Sequence, residues 1–146
     1  MITVVREVRS SPDAVLAILA DGWTYAAWVV GASRIREVDA AWPAPRARIG
    51  HSVGLWPAVL DDETVVERWV PDRGIELLAR AWPAGEARIR IEVAPRGDGC
   101  VVRMEEDAVS GPGRWIPRPL RAAALTTRNR ETLARLALLA ERRSSS

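Results

Sequence analysis

Apolar and polar residues alternate with a period of two along most of this chain, and only three segments follow helical spacing instead. The clearest alternation spans residues 87–93, where Ile89, Ile91 and Val93 share one face and charged side chains take the other. Similar runs start at residue 2 and recur over residues 33–107, separated by turns rich in proline, glycine and aspartate. The pattern predicts about seven antiparallel strands, most with one buried face.

Two short helices are predicted after the first strand. Ser11 followed by Pro12 is typical of a helix start, because the serine side chain can cap the helix and proline fits its first turn. That helix is expected to end before Gly22, and a second short helix is predicted over residues 23–30.

A long amphipathic helix is predicted over residues 120–142. At a helical spacing of about 100° per residue, its apolar residues form one stripe with Asn129 in the middle. An unpaired buried asparagine costs about 1–3 kcal/mol, so Asn129 should have a partner in the backbone, in water or in a ligand. The apolar members of the stripe are Leu125, Leu133, Leu136, Leu139 and Ala140.

This order of elements predicts an α+β fold, in which a curved antiparallel sheet of about seven strands wraps around the C-terminal helix. A chain of 146 residues is long enough for one core, so we expect a single domain over residues 1–143 and a disordered tail at 144–146. The space between sheet and helix is where such a fold can hold an apolar ligand.

Composition excludes several kinds of function. All 21 basic residues are arginine and are interleaved with 19 acidic ones, which argues against a nucleic-acid partner. Without lysine, a lysine Schiff base is impossible. His51 is the only histidine, which excludes a multi-histidine metal site and leaves at most a mixed carboxylate site; we expect neither a metal nor a cofactor. A lone Cys100, no secretory signal and no membrane-spanning stretch predict a soluble, cytoplasmic protein.

Taken together, the chain resembles the SRPBCC superfamily, which includes START-like lipid carriers, plant pathogenesis-related proteins and bacterial polyketide cyclases. The resemblance rests on residues 11–21, on Trp28 at the end of the second helix, on residues 99–106 and on the final helix. It implies a helix-grip fold with a cavity for a hydrophobic or aromatic molecule between sheet and helix. The chain departs from the common pattern at Leu16, where an aromatic residue is usual, and at residues 29–30, where Asn-Pro is usual, so the subfamily stays open.

His51 is the first candidate site residue. It shares a strand face with Ile49 and Val53, which would place its imidazole toward the cavity, where it could orient a ligand carbonyl or act as a general base. The alternatives are a structural, hydrogen-bonded histidine or the opposite pleat, in which Gly50, Ser52 and Gly54 point inward.

Glu106 is the second candidate, since it continues an inward series with Val102 and Met104. A carboxylate at the end of an apolar face could serve as an acid or base, could pair with Arg68 across the sheet, or could lie in water at the rim. Arg68 itself would point inward if it shared the face of Val66, and a cross-strand ion pair is the alternative.

Aromatic side chains complete the predicted lining. Tyr25, Trp28, Trp69 and Trp115 could surround a ligand, although seven tryptophans in a chain without phenylalanine could equally supply an ordinary core. Three Trp-Pro pairs, beginning at residues 42, 56 and 82, are interpreted as strand ends near the mouth of the curved sheet.

The leading interpretation is a binding protein for a small hydrophobic or aromatic molecule. The alternatives are an enzyme of the polyketide cyclase or dehydratase type and a protein-interaction module with a filled core; a homodimer also stays open. The predicted ligand-binding residues are Tyr25, Trp28, His51, Arg68, Trp69, Met104, Glu106, Trp115, Leu125 and Asn129.

Overall fold

Seven strands form one antiparallel sheet in the computed structural model, which describes residues 1–53, 60–81 and 85–144. The order across the sheet is β1-β7-β6-β5-β4-β3-β2, so each strand from β2 onward lies beside the next one in the chain. The number of strands and their antiparallel arrangement confirm the sequence prediction. The strands are β1 (Ile2–Val8), β2 (Ala32–Val38), β3 (Arg48–Val53), β4 (Leu60–Val70), β5 (Gly74–Ala81), β6 (Gly85–Arg96) and β7 (Gly99–Ser110).

The short helices lie between β1 and β2. Helix α1 (Pro12–Leu19) begins as predicted: the Ser11 side chain accepts a hydrogen bond from the Ala14 amide at 3.2 Å, and Pro12 occupies the first turn. The second helix is shorter than predicted, because residues 22–24 form a 3₁₀ turn and only Tyr25–Trp28 form α2.

Helix α3 (Arg118–Ser144) packs against α1, α2, β1 and β7. Its predicted stripe is largely confirmed, since Leu133, Leu136 and Ala140 are buried, together with Asn129. The helix includes Ser144, which the sequence had assigned to the tail. Burial of this stripe against the inner face of the sheet provides the helix grip.

The two faces of the sheet differ as the alternation predicts. On β6, Ile89, Ile91 and Val93 are buried, whereas Arg90 points outward and binds Glu76 of β5, with 2.8 Å between Nη2 and Oε1. Ion pairs of this kind at a solvated surface contribute about 0–1 kcal/mol each, so the fold depends mainly on its inner face.

A bulge in β4 corrects the predicted orientation of Arg68. The pairing of β4 with β5 shifts between Val66 and Arg68, so Val66 faces the core while Arg68 points outward with its side chain 66% exposed. Arg68 lies 3.9 Å from Glu76 in a cross-strand ion pair and does not enter the interior. The same shift turns Trp69 inward, where it packs at the edge of the core.

The Trp-Pro pairs can be placed only in part. Trp42–Pro43 has a cis peptide bond and lies in the connection between β2 and β3, where the indole donates to the Leu19 carbonyl at 3.1 Å. Trp56-Pro57 and Trp82-Pro83 lie outside the described residues. None of the helices in the described ranges is long and apolar enough to cross a membrane.

Candidate ligand-binding cavity

A cavity of about 340 Å³ lies between the sheet and α3. Sites for small molecules are typically about 300–1,000 Å³ and mostly apolar. Most of its wall is apolar, and exposed lining residues such as Arg80 and Ile116 mark the side where it meets solvent. The apolar side chains of its wall include Trp28, Val29, Val30, Leu77, Ile89, Ile91, Met104, Ile116 and Leu125.

Three alanines on adjacent strands create much of this space. Ala87 of β6 is in register with Ala79 of β5 on one side and with Ala108 of β7 on the other, and all three line the cavity. One step further along the same strands, the register brings together Leu77, Ile89 and Glu106. The alanine methyl groups therefore leave space beneath α3, whereas the larger side chains of the next row fill the corresponding space.

Glu106 belongs to a polar cluster with two residues of α3. Its Oε1 accepts hydrogen bonds from Arg128 Nη2 and from Asn129 Nδ2, the latter at 3.3 Å, and Arg128 Nε donates to Asn129 Oδ1 at 3.3 Å. Asn129 thus has partners, as expected, but they are side chains rather than the backbone, water or ligand that were predicted. The predicted alternative of a Glu106–Arg68 pair is wrong, because Arg128 takes that role.

A second polar cluster lies at the Tyr25 end of the cavity. Thr64 Oγ1 is 3.1 Å from the Tyr25 hydroxyl and 2.8 Å from His51 Nε2, and the Tyr25 and His51 rings stack with 5.5 Å between their centres. Burial raises the pKa of Tyr25, so its hydroxyl keeps its proton at neutral pH.

Counting donors assigns the direction of these bonds. In one arrangement the Tyr25 hydroxyl donates to Thr64, the Thr64 hydroxyl donates to His51 Nε2, and both hydroxyl hydrogens have an acceptor. In every other arrangement, the hydroxyl hydrogen of Tyr25 or of Thr64 has no acceptor among the described residues. A neutral imidazole whose Nε2 accepts must carry its proton on Nδ1. His51 is therefore assigned as the Nδ1–H tautomer.

Two ring nitrogens at this end have no partner. Among the buried side-chain nitrogen and oxygen atoms of the described residues, Trp28 Nε1 and His51 Nδ1 lack a hydrogen bond. Both residues line the cavity and both rings contact Tyr25. Buried polar groups are normally paired, so these two nitrogens depart from the usual pattern.

His51 should titrate below the ordinary value of 6.5. Burial lowers the pKa of His51, Arg36 lowers it further, and Asp62 and Glu63 act in the opposite direction without reversing the shift. As the pH falls below about 6.5, the imidazole is therefore protonated in the unfolded chain while it is still neutral in the folded protein. The free energy of unfolding should decrease over this range, down to the pKa of His51 in the folded protein. An NMR titration of the single imidazole tests this expectation; a midpoint at or above that of the urea-unfolded protein would contradict it.

The structure brings together most of the residues predicted for the site, but not all. Arg68 is on the outer face, Trp69 lies in the core away from the cavity wall, and Trp115 is 83% exposed on a 3₁₀ turn before α3. The predicted residues that line the cavity are Tyr25, Trp28, His51, Met104, Glu106, Leu125 and Asn129.

Sequence reasoning missed Arg128, Thr64 and the three alanines. Arg128 directly precedes Asn129 in the sequence, and that position was a usable signal for its role. Among the described residues, no three histidine, cysteine, aspartate or glutamate side chains are placed to hold a metal ion.

Comparison with known proteins places the chain in a family. The sequence profile described as polyketide cyclase / dehydrase and lipid transport matches residues 1–141. The chain belongs to this family. A search of curated protein sequences finds no significant match.

Solved structures show how widely the family's fold is shared. Protein NE0264 from Nitrosomonas europaea has a TM-score of 0.75 at 15% identity, with 99% of this chain and 96% of that one covered. SA2116 from Staphylococcus aureus, a protein of unknown function, has a TM-score of 0.74 at 11% identity over 99% and 95% of the two chains. The di-domain ARO/CYC protein StfQ of the steffimycin biosynthetic pathway has a TM-score of 0.77 at 12% identity, over 99% of this chain and 51% of its own. At these identities the likeness concerns the fold.

Proposed function

We propose that this protein binds one small hydrophobic or aromatic molecule in the cavity between the sheet and α3. The observation that carries the proposal is the row formed by Ala79, Ala87 and Ala108, which keeps about 340 Å³ of space open beneath the C-terminal helix. Burial of apolar surface, at about 25 cal/mol per Å², would supply most of the affinity. The alternative of a module with a filled core does not fit a cavity of this size.

The two polar clusters support the proposal, because they would orient a bound molecule. Glu106, Arg128 and Asn129 of the first cluster lie on one part of the wall, and Tyr25 and His51 of the second cluster lie on another. Apolar walls with a few placed polar groups are the usual composition of small-molecule sites.

Calorimetric titration with 2-methoxynaphthalene, an apolar bicyclic probe, tests the proposal. We expect saturable binding of one probe per chain, with a negative heat-capacity change because apolar surface leaves water. The absence of binding, or weak binding of several probes per chain, would contradict an enclosed apolar site.

A cyclase or dehydratase activity is the second candidate, favoured by the presence of an imidazole and a carboxylate, His51 and Glu106, on the cavity wall. His51 and Glu106 would then move protons on a polyketide-like substrate, as general acid or base. In that case, replacing His51 by alanine should abolish turnover while leaving substrate affinity nearly intact, whereas an equal loss of both would indicate a binding role.

A further inference from the structure

Three large apolar side chains are exposed in the segment that leads into α3. Trp115 is 83% exposed, Leu120 is 65% exposed and Ile116 is 49% exposed. Ile116 also lines the cavity, together with Gly113 and Arg121 of the same segment, so the exposed side chains lie beside the cavity mouth. Clustered apolar side chains at a surface mark a site of interaction, whereas scattered ones need no explanation.

The backbone of this segment is held against α3. Arg121 Nη1 donates to the Arg114 carbonyl at 3.2 Å and to the Gly113 carbonyl at 3.5 Å, which joins the 3₁₀ turn (Pro112–Trp115) to the first turn of the helix. Pro117, between the turn and the helix, fixes its own φ angle. The apolar side chains are therefore presented on an ordered backbone, and little conformational entropy of the backbone is lost on binding.

The charge of this segment is positive. Residues 108–127 contain three arginines and no acidic residue. Arg114 and Arg118 lie next to the exposed apolar side chains in the sequence and are themselves exposed, and neither forms an ion pair with a described residue. The segment therefore complements a partner that is negatively charged.

The size and composition of this surface favour a lipid surface over a protein partner. A stable protein interface buries about 800 Å² on each side, and three side chains supply only part of that area. Tryptophan is enriched where a membrane meets water, and arginine is attracted to anionic lipids. Side chains that project from a turn can enter a lipid surface without the matching pocket that a protein partner would need.

We propose that Trp115, Ile116, Leu120, Arg114 and Arg118 form a docking surface, here called the entrance surface, for a membrane that carries anionic lipids. The apolar side chains enter the headgroup region, and the two arginines bind lipid phosphates. Docking in this way turns the cavity mouth toward the lipid. It goes beyond the proposed binding of a small molecule and does not depend on it.

Co-sedimentation of the whole chain with lipid vesicles tests this inference. One set of vesicles contains phosphatidylcholine alone, and the other contains equal parts of phosphatidylcholine and phosphatidylglycerol. We expect the protein to bind the anionic vesicles at least about tenfold more tightly, because each arginine near an anionic surface strengthens binding about fivefold. No binding to the anionic vesicles, or equal binding to both sets, would overturn the inference.

Trp115→Ala tests the apolar part of the entrance surface. A tryptophan can bury about 150–250 Å², so this variant should bind the anionic vesicles at least about tenfold more weakly than the wild type. Trp23→Ala is the matched control, because Trp23 is 61% exposed but lies on a different 3₁₀ turn, beside the acidic Asp21, and its vesicle binding should be unchanged. Equal losses in the two variants would overturn the inference.

Sedimentation velocity without vesicles tests a different occupant of the entrance surface, a second copy of the chain. We expect Trp115→Ala to leave the sedimentation coefficient unchanged, whereas a wild-type dimer that dissociates in this variant would overturn the inference. Trp115 is not among the described residues that line the cavity, so Trp115→Ala should bind 2-methoxynaphthalene as the wild type does. Failure of membrane docking and failure of the proposed function are therefore distinguishable.

Discussion

Replacing Ala87 by phenylalanine is expected to weaken binding of an apolar probe strongly. Ala87 lies at the centre of the alanine row, with Ala79 and Ala108 as its partners on either side, so a larger side chain at this position enters the cavity directly. We expect the affinity for 2-methoxynaphthalene to fall at least about tenfold, equivalent to about 1.4 kcal/mol, as measured by calorimetry.

Folding should survive this substitution. Adding atoms to a packed core costs about 1–3 kcal/mol, but the new ring occupies space that is already empty, so we expect the lower end of that range. Ala94→Phe is the matched control, since Ala94 lies on the same strand with an exposed side chain, and its probe affinity should equal that of the wild type. Undiminished binding by Ala87→Phe would place the ligand elsewhere.

Replacing Leu133 by alanine is expected to lower the free energy of unfolding by about 2–5 kcal/mol, the usual cost of removing a buried leucine side chain. Leu133 is 1% exposed on α3 and belongs to the stripe that packs against the rest of the core. Because native domains are stable by only about 5–15 kcal/mol, this loss is a large part of the total. Urea denaturation monitored by circular dichroism measures it.

Leu138→Ala controls for helix propensity and for the chemical change itself. Leu138 lies on the same helix but is 53% exposed, so its truncation should change stability by less than about 0.5 kcal/mol. Equal effects of the two substitutions would show that α3 does not bury the Leu133 stripe, and would remove the helix as one wall of the cavity.

Much of the fold could be predicted because local patterns determine it. The alternation at residues 87–93 follows directly from the two-residue period of a strand with one buried face, and Ser11-Pro12 marks the start of α1 through capping chemistry. Asn129 could be placed inside the core because it interrupts an apolar helical stripe.

The rest depended on contacts between distant residues. Nothing in the local sequence indicates the bulge after Val66, and that one irregularity moves Arg68 out of the interior and turns Trp69 into it. The partner of Glu106 was likewise not predicted: a pair with Arg68 was one alternative, and Arg68 and Arg128 can be told apart only once the strand register and the position of α3 are known.

The sequence placed the cavity between the sheet and the C-terminal helix, but the residues that leave it open could not be predicted, for the same reason. Ala79, Ala87 and Ala108 are small residues common in any chain, and they matter only because pairing of β5 with β6 and of β6 with β7 brings them into one row. A row of this kind becomes visible only when three strands are in register.

The position of a bound probe tests the central claim most directly. Intermolecular nuclear Overhauser effects between 2-methoxynaphthalene and the protein methyl groups should connect the probe to Ala79, Ala87 and Ala108 on the sheet and to Leu125 on α3. Contacts to both sides would establish a ligand held between sheet and helix. Contacts confined to exposed residues such as Trp115 or Trp23 would show surface binding and contradict this account.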